Sequence, residues 1–207
     1  MEKFSGIDVY LPVPVTIAQV APETEDTFTL HLKPAEGTAF STEEYGPGKF
    51  LQVTAFGVGE APVSIAGVDN EKEELLITVR RTGSVTGALC NLGQGGVLGI
   101  RGPYGNGFPL SSMEGKNLVL IGGGVGLPPL RHLVETLSRR RGRFGSVRLC
   151  YGTGRPGELI YGKDLERICE QAEVELKIIV EFPDGDWCGG TGLVTDLLLD
   201  IEVGDSG

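Results

Sequence analysis

Three short stretches of this sequence carry the residue types and spacing needed to hold an anion. The first is the run 117–130, Asn-Leu-Val-Leu-Ile-Gly-Gly-Gly-Val-Gly-Leu-Pro-Pro-Leu. An apolar strand leads into a glycine turn and then a helix start. Gly122, Gly123, Gly124 and Gly126 let backbone amides approach a pyrophosphate with no Cβ in the way. After Leu127, Pro128 and Pro129 suit the first turn of a helix, whose positive end favours the same charge. The dinucleotide fingerprint with a third glycine at spacing three is not matched, because position 127 is leucine. A tight turn between strand and helix with no ligand uses the same residues.

The second stretch, Tyr151-Gly152-Thr153-Gly154-Arg155, follows the next apolar run. In a doubly wound sheet that edge faces the ribose end of a nucleotide. Arg155 there suits a 2′-phosphate or an adenine ring, and equally a solvated loop. The third is Arg80-Arg81-Thr82-Gly83-Ser84-Val85-Thr86, where two arginines and two hydroxyls precede a helix. Helix amides with adjacent guanidinium groups make an anion cradle; a capping serine beside two surface arginines is the plainer alternative.

The elements around these stretches fall into two groups. Strands are expected at Val13–Val20, Asp26–Leu32, Lys49–Phe56, Pro62–Ala66, Glu74–Arg80 and Gly96–Arg101, separated by turn residues. A single helix, Val85–Leu92, interrupts them, with Ser84 as its N-cap. Short strands about ten residues apart predict an antiparallel barrel. After residue 112 the order becomes strand Asn117–Ile121, helix Pro128–Arg140, strand Ser146–Tyr151, helix Glu158–Gln171, strand Val174–Glu181 and helix Val194–Asp200. Alternation of apolar strands with helices predicts a doubly wound parallel sheet covered on both faces. Residues 1–112 thus form a barrel domain and 113–207 an α/β domain. Two anion cradles, one in each domain, suggest two nucleotides, a pairing that fits a flavin dinucleotide with a nicotinamide dinucleotide.

Composition narrows the classes. Of 207 residues 33 are glycine, and fourteen of these lie between Gly83 and Gly126. There is no Gly-X-Y period, and 40% hydrophobic content is too high for a flexible linker. A net charge of −10 and a pI near 4.7 argue against nucleic acid and anionic membrane surfaces. Apolar runs are too short to span a bilayer. The start Met1-Glu-Lys-Phe lacks the pattern of a secretory signal. Cys90, Cys150, Cys169 and Cys188 form no Cys-x-x-Cys pair, and His31 and His132 are the only histidines. No metal site is expected, and four reduced thiols point to the cytoplasm.

Five ordered motifs, Gly46-Pro-Gly-Lys-Phe50, Glu60-Ala-Pro-Val-Ser-Ile65, Gly83-Ser-Val-Thr86, Gly102-Pro-Tyr-Gly105 and Gly122-Gly-Gly-Val-Gly-Leu-Pro-Pro129, resemble the ferredoxin–NADP reductase superfamily. Within it, the chain is most similar to sulfhydrogenase-type nickel–iron hydrogenase gamma subunits and the electron-transfer subunit of dihydroorotate dehydrogenase. The resemblance implies an FAD-binding barrel and an NAD(P)-binding α/β domain, with the cofactors meeting between them. It makes Ala61, Pro62, Val63 and Ser64 the counterpart of the flavin-binding Arg-x-aromatic-Ser stretch. Ser64 is then the catalytic-site residue facing the reactive edge of the ring. Ala61 stands in place of a pyrophosphate-binding arginine, for which Arg80 or Arg81 could substitute, and Val63 in place of an aromatic. Val79, Gly83, Val85 and Thr86 match further flavin positions. The implied chemistry is hydride exchange between NAD(P)(H) and FAD, with single electrons passed to an iron–sulfur partner such as a hydrogenase- or heterodisulfide-reductase-like complex. A stand-alone flavin or ferredoxin reductase, and a structural subunit without catalysis, are the alternatives.

In the family, a strand ending in Cys-Gly-Pro-Pro follows the counterpart of Val194–Leu198 and pairs with that of Asn117–Ile121. It is not found here, so an apolar strand at the sheet edge and weakened nicotinamide binding are expected. The run Arg139-Arg-Arg-Gly-Arg143 reads as a solvated helix end or as a docking patch for an acidic partner.

Overall fold

A computed structural model describes residues 10–34 and 39–199. The chain divides into two compact units, Met1–Phe108 and Pro109–Gly207.

In the first unit, β1 (Val13–Pro22), β2 (Thr27–Lys33), β3 (Phe50–Ala55), β4 (Gly59–Asp69), β5 (Glu74–Arg80) and β6 (Val97–Tyr104) form a closed barrel. The order is β1-β2-β5-β4-β3-β6, and every pairing is antiparallel. Alternation sets the two faces. On β3, Leu51, Val53 and Ala55 point into the core, while Phe50, Gln52 and Thr54 lie half-buried outside. The inward residues meet Ile17, Leu30, Ile65, Leu75, Ile77 and Leu98 in one apolar cluster. Closure leaves the barrel no free edge.

Helix α1 (Ser84–Asn91) directs Leu89 and Cys90 into that cluster. Gly83, and not the expected Ser84, is its N-cap. The cause is Thr86, whose Oγ1 accepts the amides of Thr82 at 3.1 Å and Gly83 at 3.0 Å. The Gly83 carbonyl takes the first helical bond from Gly87 at 2.8 Å.

The second unit opens with a short helix, α2 (Leu110–Met113), and so includes the expected boundary at 112. β7 (Leu118–Gly123), β8 (Val147–Thr153), β9 (Glu175–Val180) and β10 (Gly190–Thr191) form a parallel sheet in the order β10-β9-β8-β7. Helix α3 (Leu127–Ser138) covers the face of β7 that carries Leu118, Leu120 and Gly122; a Cβ on Gly122 would lie 2.8 Å from Leu130. Gly123 pairs with Gly152, and a Cβ on Gly152 would meet Val194 at 2.7 Å. The 3-10 helix Val194–Leu198 therefore packs on the opposite face. That cover is incomplete: at the sheet edge formed by β7, Val119 and Ile121 remain 39% and 43% exposed.

Two helices depart from the sequence reading. Expected over Glu158–Gln171, α4 spans Gly162–Gln171 after a 3-10 turn at Pro156–Glu158. Tyr161 breaks the run with φ +65°, and the Arg131 guanidinium lies 5.2 Å from its ring centroid. The helix expected over Val194–Asp200 is a 3-10 helix ending at Leu198, with residue 200 outside the described residues. The Arg139–Arg143 run follows α3 and splits. Arg141 donates to the carbonyls of Phe144 and Gly145, and Arg143 pairs with Glu114 at 2.9 Å, leaving Arg139 and Arg140 exposed.

Cys90, Cys150 and Cys169 are buried and Cys188 is exposed. Burial pushes the Cys169 thiol up to about 11 and raises those of Cys90 and Cys150. A thiol-reactive disulfide at pH 8 is expected to titrate one cysteine in the native chain and four after denaturation. Rapid reaction of two or more native thiols would contradict this core.

Candidate functional site

In the barrel unit the structure brings the β4 residues beside the start of α1. A Cβ on Gly59 would approach Val85 Cγ2 to 3.2 Å. Gly83, Ser84, Val85 and Thr86 form the first turn, where helix geometry leaves amides without intrahelical acceptors. A Cβ added at Gly83 would meet nothing within 4 Å, so this glycine is not required by packing within the chain. The open space above the first-turn amides suits an oxyanion.

The two arginines of this loop differ. Arg80 Nε donates to Asp26 Oδ2 at 2.7 Å, and this bond holds the Asp26 carboxyl below its usual range. Arg80 is thus committed to Asp26. The Arg81 stem lies beside Gly87 of α1, and its guanidinium carbon sits 5.5 Å from the Phe28 ring centroid. Arg81 is the cation of the loop positioned along the helix.

Two expected flavin contacts turn inward. Val79 is 2% exposed and Val63 is 8% exposed, and both belong to the barrel core. Their side chains line the core because the alternation of β4 and β5 points them there; only their backbone is offered outside. Ala61 is half-buried and Pro62 exposed. Ser64 is half-buried and faces outward, paired in register with Phe50, which in turn pairs with Tyr104 on β6. Residues in register share a face, so Ser64, Phe50 and Tyr104 form a row across three strands, spanning about 10 Å at the usual strand spacing. The Phe50 and Tyr104 ring centroids are 5.7 Å apart. Neither aromatic was picked out from the sequence as a site residue, because the row exists only once β3 is placed between β4 and β6.

In the second unit, parallel register sets Gly122 against Tyr151 and Gly123 against Gly152, joining the two glycine-containing strand ends. A 3-10 turn at Gly124–Gly126 leads into α3. Gly124 has φ +50°, which favours glycine, and a Cβ at Gly124 or Gly126 would meet nothing within 4 Å. The donors of this stretch lie in the turn itself. The Leu127 amide bonds to the Gly124 carbonyl, and Pro128 and Pro129 have no N–H. The start of α3 contributes its dipole, and any amide for an anion comes from the turn 124–126.

Tyr151 is fully buried, and its hydroxyl accepts the Ile160 amide at 3.3 Å. Leu127 and Pro128 are buried as well, and Gly152 is the packing glycine beneath Val194. These residues are packed into the unit and hold the strand ends in place. Thr153 Oγ1 donates to the Arg155 carbonyl at 3.0 Å, while the Gly154 amide donates to Glu158 Oε2 at 3.1 Å. Arg155 is exposed, with its guanidinium carbon 5.8 Å from the Phe182 ring centroid and Nη1 3.7 Å from Asp184 Oδ2. Among the described residues, no group of three or more His, Cys, Asp and Glu is placed to hold a metal, and no helix is long and apolar enough to cross a membrane.

The chain resembles known oxidoreductase proteins in sequence and in fold. A family model described as an oxidoreductase NAD-binding domain matches residues 120–206. The gamma subunit of sulfhydrogenase 1 from Pyrococcus furiosus is 36% identical over 184 residues, covering 87% of this chain and 62% of that subunit. A probable dihydroorotate dehydrogenase B (NAD(+)) electron transfer subunit from the same organism is 34% identical, covering 76% of this chain and 55% of its own. Among solved structures, an Amycolatopsis cytochrome P450 reductase superposes with a TM-score of 0.75 at 25% identity, covering 92% of this chain and 58% of that one. The chain spans about three-fifths of the length of these relatives.

Proposed function

Because the chain belongs to the ferredoxin–NADP reductase superfamily, we propose that it is a flavoprotein electron-transfer subunit passing electrons between NAD(P)(H), FAD and an iron–sulfur partner. The observation that carries this reading is the pair of glycine-lined cradles, at Gly83 in the barrel and at Gly124–Gly126 in the α/β unit. Both are open where a Cβ would be, with no packing demand from the chain itself. The residues present fit the phosphates of two dinucleotides.

When bound, a flavin and a nicotinamide supply the hydride and single-electron chemistry, and the protein supplies binding and alignment. The first-turn amides of α1 would bind the flavin pyrophosphate, and Arg81, whose guanidinium lies by Phe28 and Cys90, would lend the loop the positive charge that Ala61 cannot. Ser64 offers its hydroxyl to the reactive edge of the ring. Phe50 and Tyr104 give the ring an aromatic surface in place of Val63. The turn 124–126 binds the nicotinamide dinucleotide, its charge favoured by the dipole of α3. This chemistry needs no side chain as a general acid or base.

Relatives named as a hydrogenase gamma subunit and an electron transfer subunit support assignment to a complex. A hydrogenase- or iron–sulfur-type subunit is the partner. Four unpaired cysteines support a cytoplasmic location.

The test is anaerobic. NADH added to the FAD-loaded chain is expected to bleach the flavin absorbance, and a [2Fe–2S] ferredoxin added next is expected to be reduced. An NADH-inert flavin would contradict the reading.

A further inference from the structure

We infer that the exposed Arg155–Phe182–Asp184 group selects the dinucleotide with a free 2′-hydroxyl, so that the chain takes NAD(H) and rejects NADP(H). This rests on the proposed nucleotide site in the α/β unit and assigns the specificity that the glycine turn alone leaves open.

The group is built, not fortuitous loop surface. Beyond the last strand pairs, the Glu181 amide donates to the Thr153 carbonyl at 3.0 Å and the Phe182 amide to the Gly154 carbonyl at 2.8 Å. These bonds extend the β8–β9 ladder by two steps and tie the loops together. The Thr153 hydroxyl fixes the Arg155 carbonyl, and Glu158 fixes the Gly154 amide. On this frame Phe182 is 57% exposed, a large apolar ring at the carboxyl edge of the sheet where nucleotides bind. With the Arg155 guanidinium beside it, the ring offers a flat cationic-aromatic surface suited to a purine base.

Charge then decides the ribose. Within residues 153–158 and 181–186, Arg155 is the one cation against Glu158, Glu181, Asp184 and Asp186. The Asp184 carboxylate sits 3.7 Å from Arg155 Nη1 and already answers the guanidinium's charge. A 2′-hydroxyl donates a hydrogen bond to such a carboxylate. A 2′-phosphate carries up to two negative charges, must compete with Asp184 for Arg155, and meets the field of the other three carboxylates.

The experiment uses ADP-ribose and 2′-phospho-ADP-ribose as probes, titrated calorimetrically into the chain at low ionic strength. They report the adenosine end without the nicotinamide. ADP-ribose is expected to bind about tenfold or more tightly than its 2′-phosphorylated counterpart, and the ratio is expected to shrink as salt is added. Asp184→Asn should bring the ratio near one by improving the phosphorylated probe, and Phe182→Ala should weaken both probes alike. Equal affinities in the native chain, or a ratio unmoved by Asp184→Asn, would overturn the specificity while leaving the nucleotide site standing. Binding of neither probe would overturn the site itself, and the specificity with it.

Discussion

Gly83→Ala is expected to weaken FAD binding at least about tenfold while leaving the melting temperature within about 2 °C of the native value. The separation follows from the geometry. Nothing in the chain lies within 4 Å of the added methyl, and Gly83 is extended, at φ −154°, a conformation alanine adopts freely. Alanine is a poorer N-cap than glycine but restricts the unfolded chain, and these effects oppose one another at about 0.5–1 kcal/mol each. The methyl instead enters the open space at the start of α1, where the proposed pyrophosphate site lies. Fluorescence quenching on FAD titration, alongside thermal denaturation, checks both halves. Native FAD affinity in the variant would remove the α1 cradle from the flavin site.

Gly152→Ala is expected to act in the opposite sense, on folding first. Its Cβ would lie 2.7 Å from Val194 Cβ and 3.4 Å from Val194 Cα, a branched side chain close to its own backbone. Neither partner can rotate away, so the 3-10 helix Val194–Leu198 must lift from the sheet. Overpacking of this kind costs about 1–3 kcal/mol. At about 4–8 °C per kcal/mol for a unit of this size, the α/β transition should move clearly downward. Gly126→Ala, with nothing within 4 Å and no positive φ, should leave that transition in place and weaken nucleotide binding instead. If Gly152→Ala melts like the native chain, the packing of the 3-10 helix on β8 is wrong.

Several of these features were legible before any coordinates. β5 has the same ends in sequence and structure, Glu74–Arg80, because charged residues bracket an apolar run. The barrel and the parallel sheet followed from the change in rhythm after residue 112, and the Gly122–Gly126 turn from its place between an apolar strand and a helix.

What was not legible depends on contacts between distant residues. Tyr161 breaks the expected helix under the Arg131 guanidinium, which belongs to another element. Val63 and Val79 turn inward by strand register, and the register that exposes Ser64 also assembles Phe50 and Tyr104 beside it. Arg80 and Arg81 are equivalent in sequence and become distinct only when Asp26, 54 residues from Arg80, takes the first. Phe182 and Asp184 lie just beyond the strand expected to end at Glu181, and they gain a place only when the β8–β9 ladder sets them against Arg155.

The most direct measurement is an equilibrium titration of the purified chain with FAD, followed by absorbance and flavin fluorescence. The expected result is one FAD bound per chain, with perturbed flavin bands near about 375 and 450 nm and with binding weakened by Gly83→Ala. A chain that folds, melts cooperatively and leaves the flavin spectrum and fluorescence unchanged would contradict a flavoprotein.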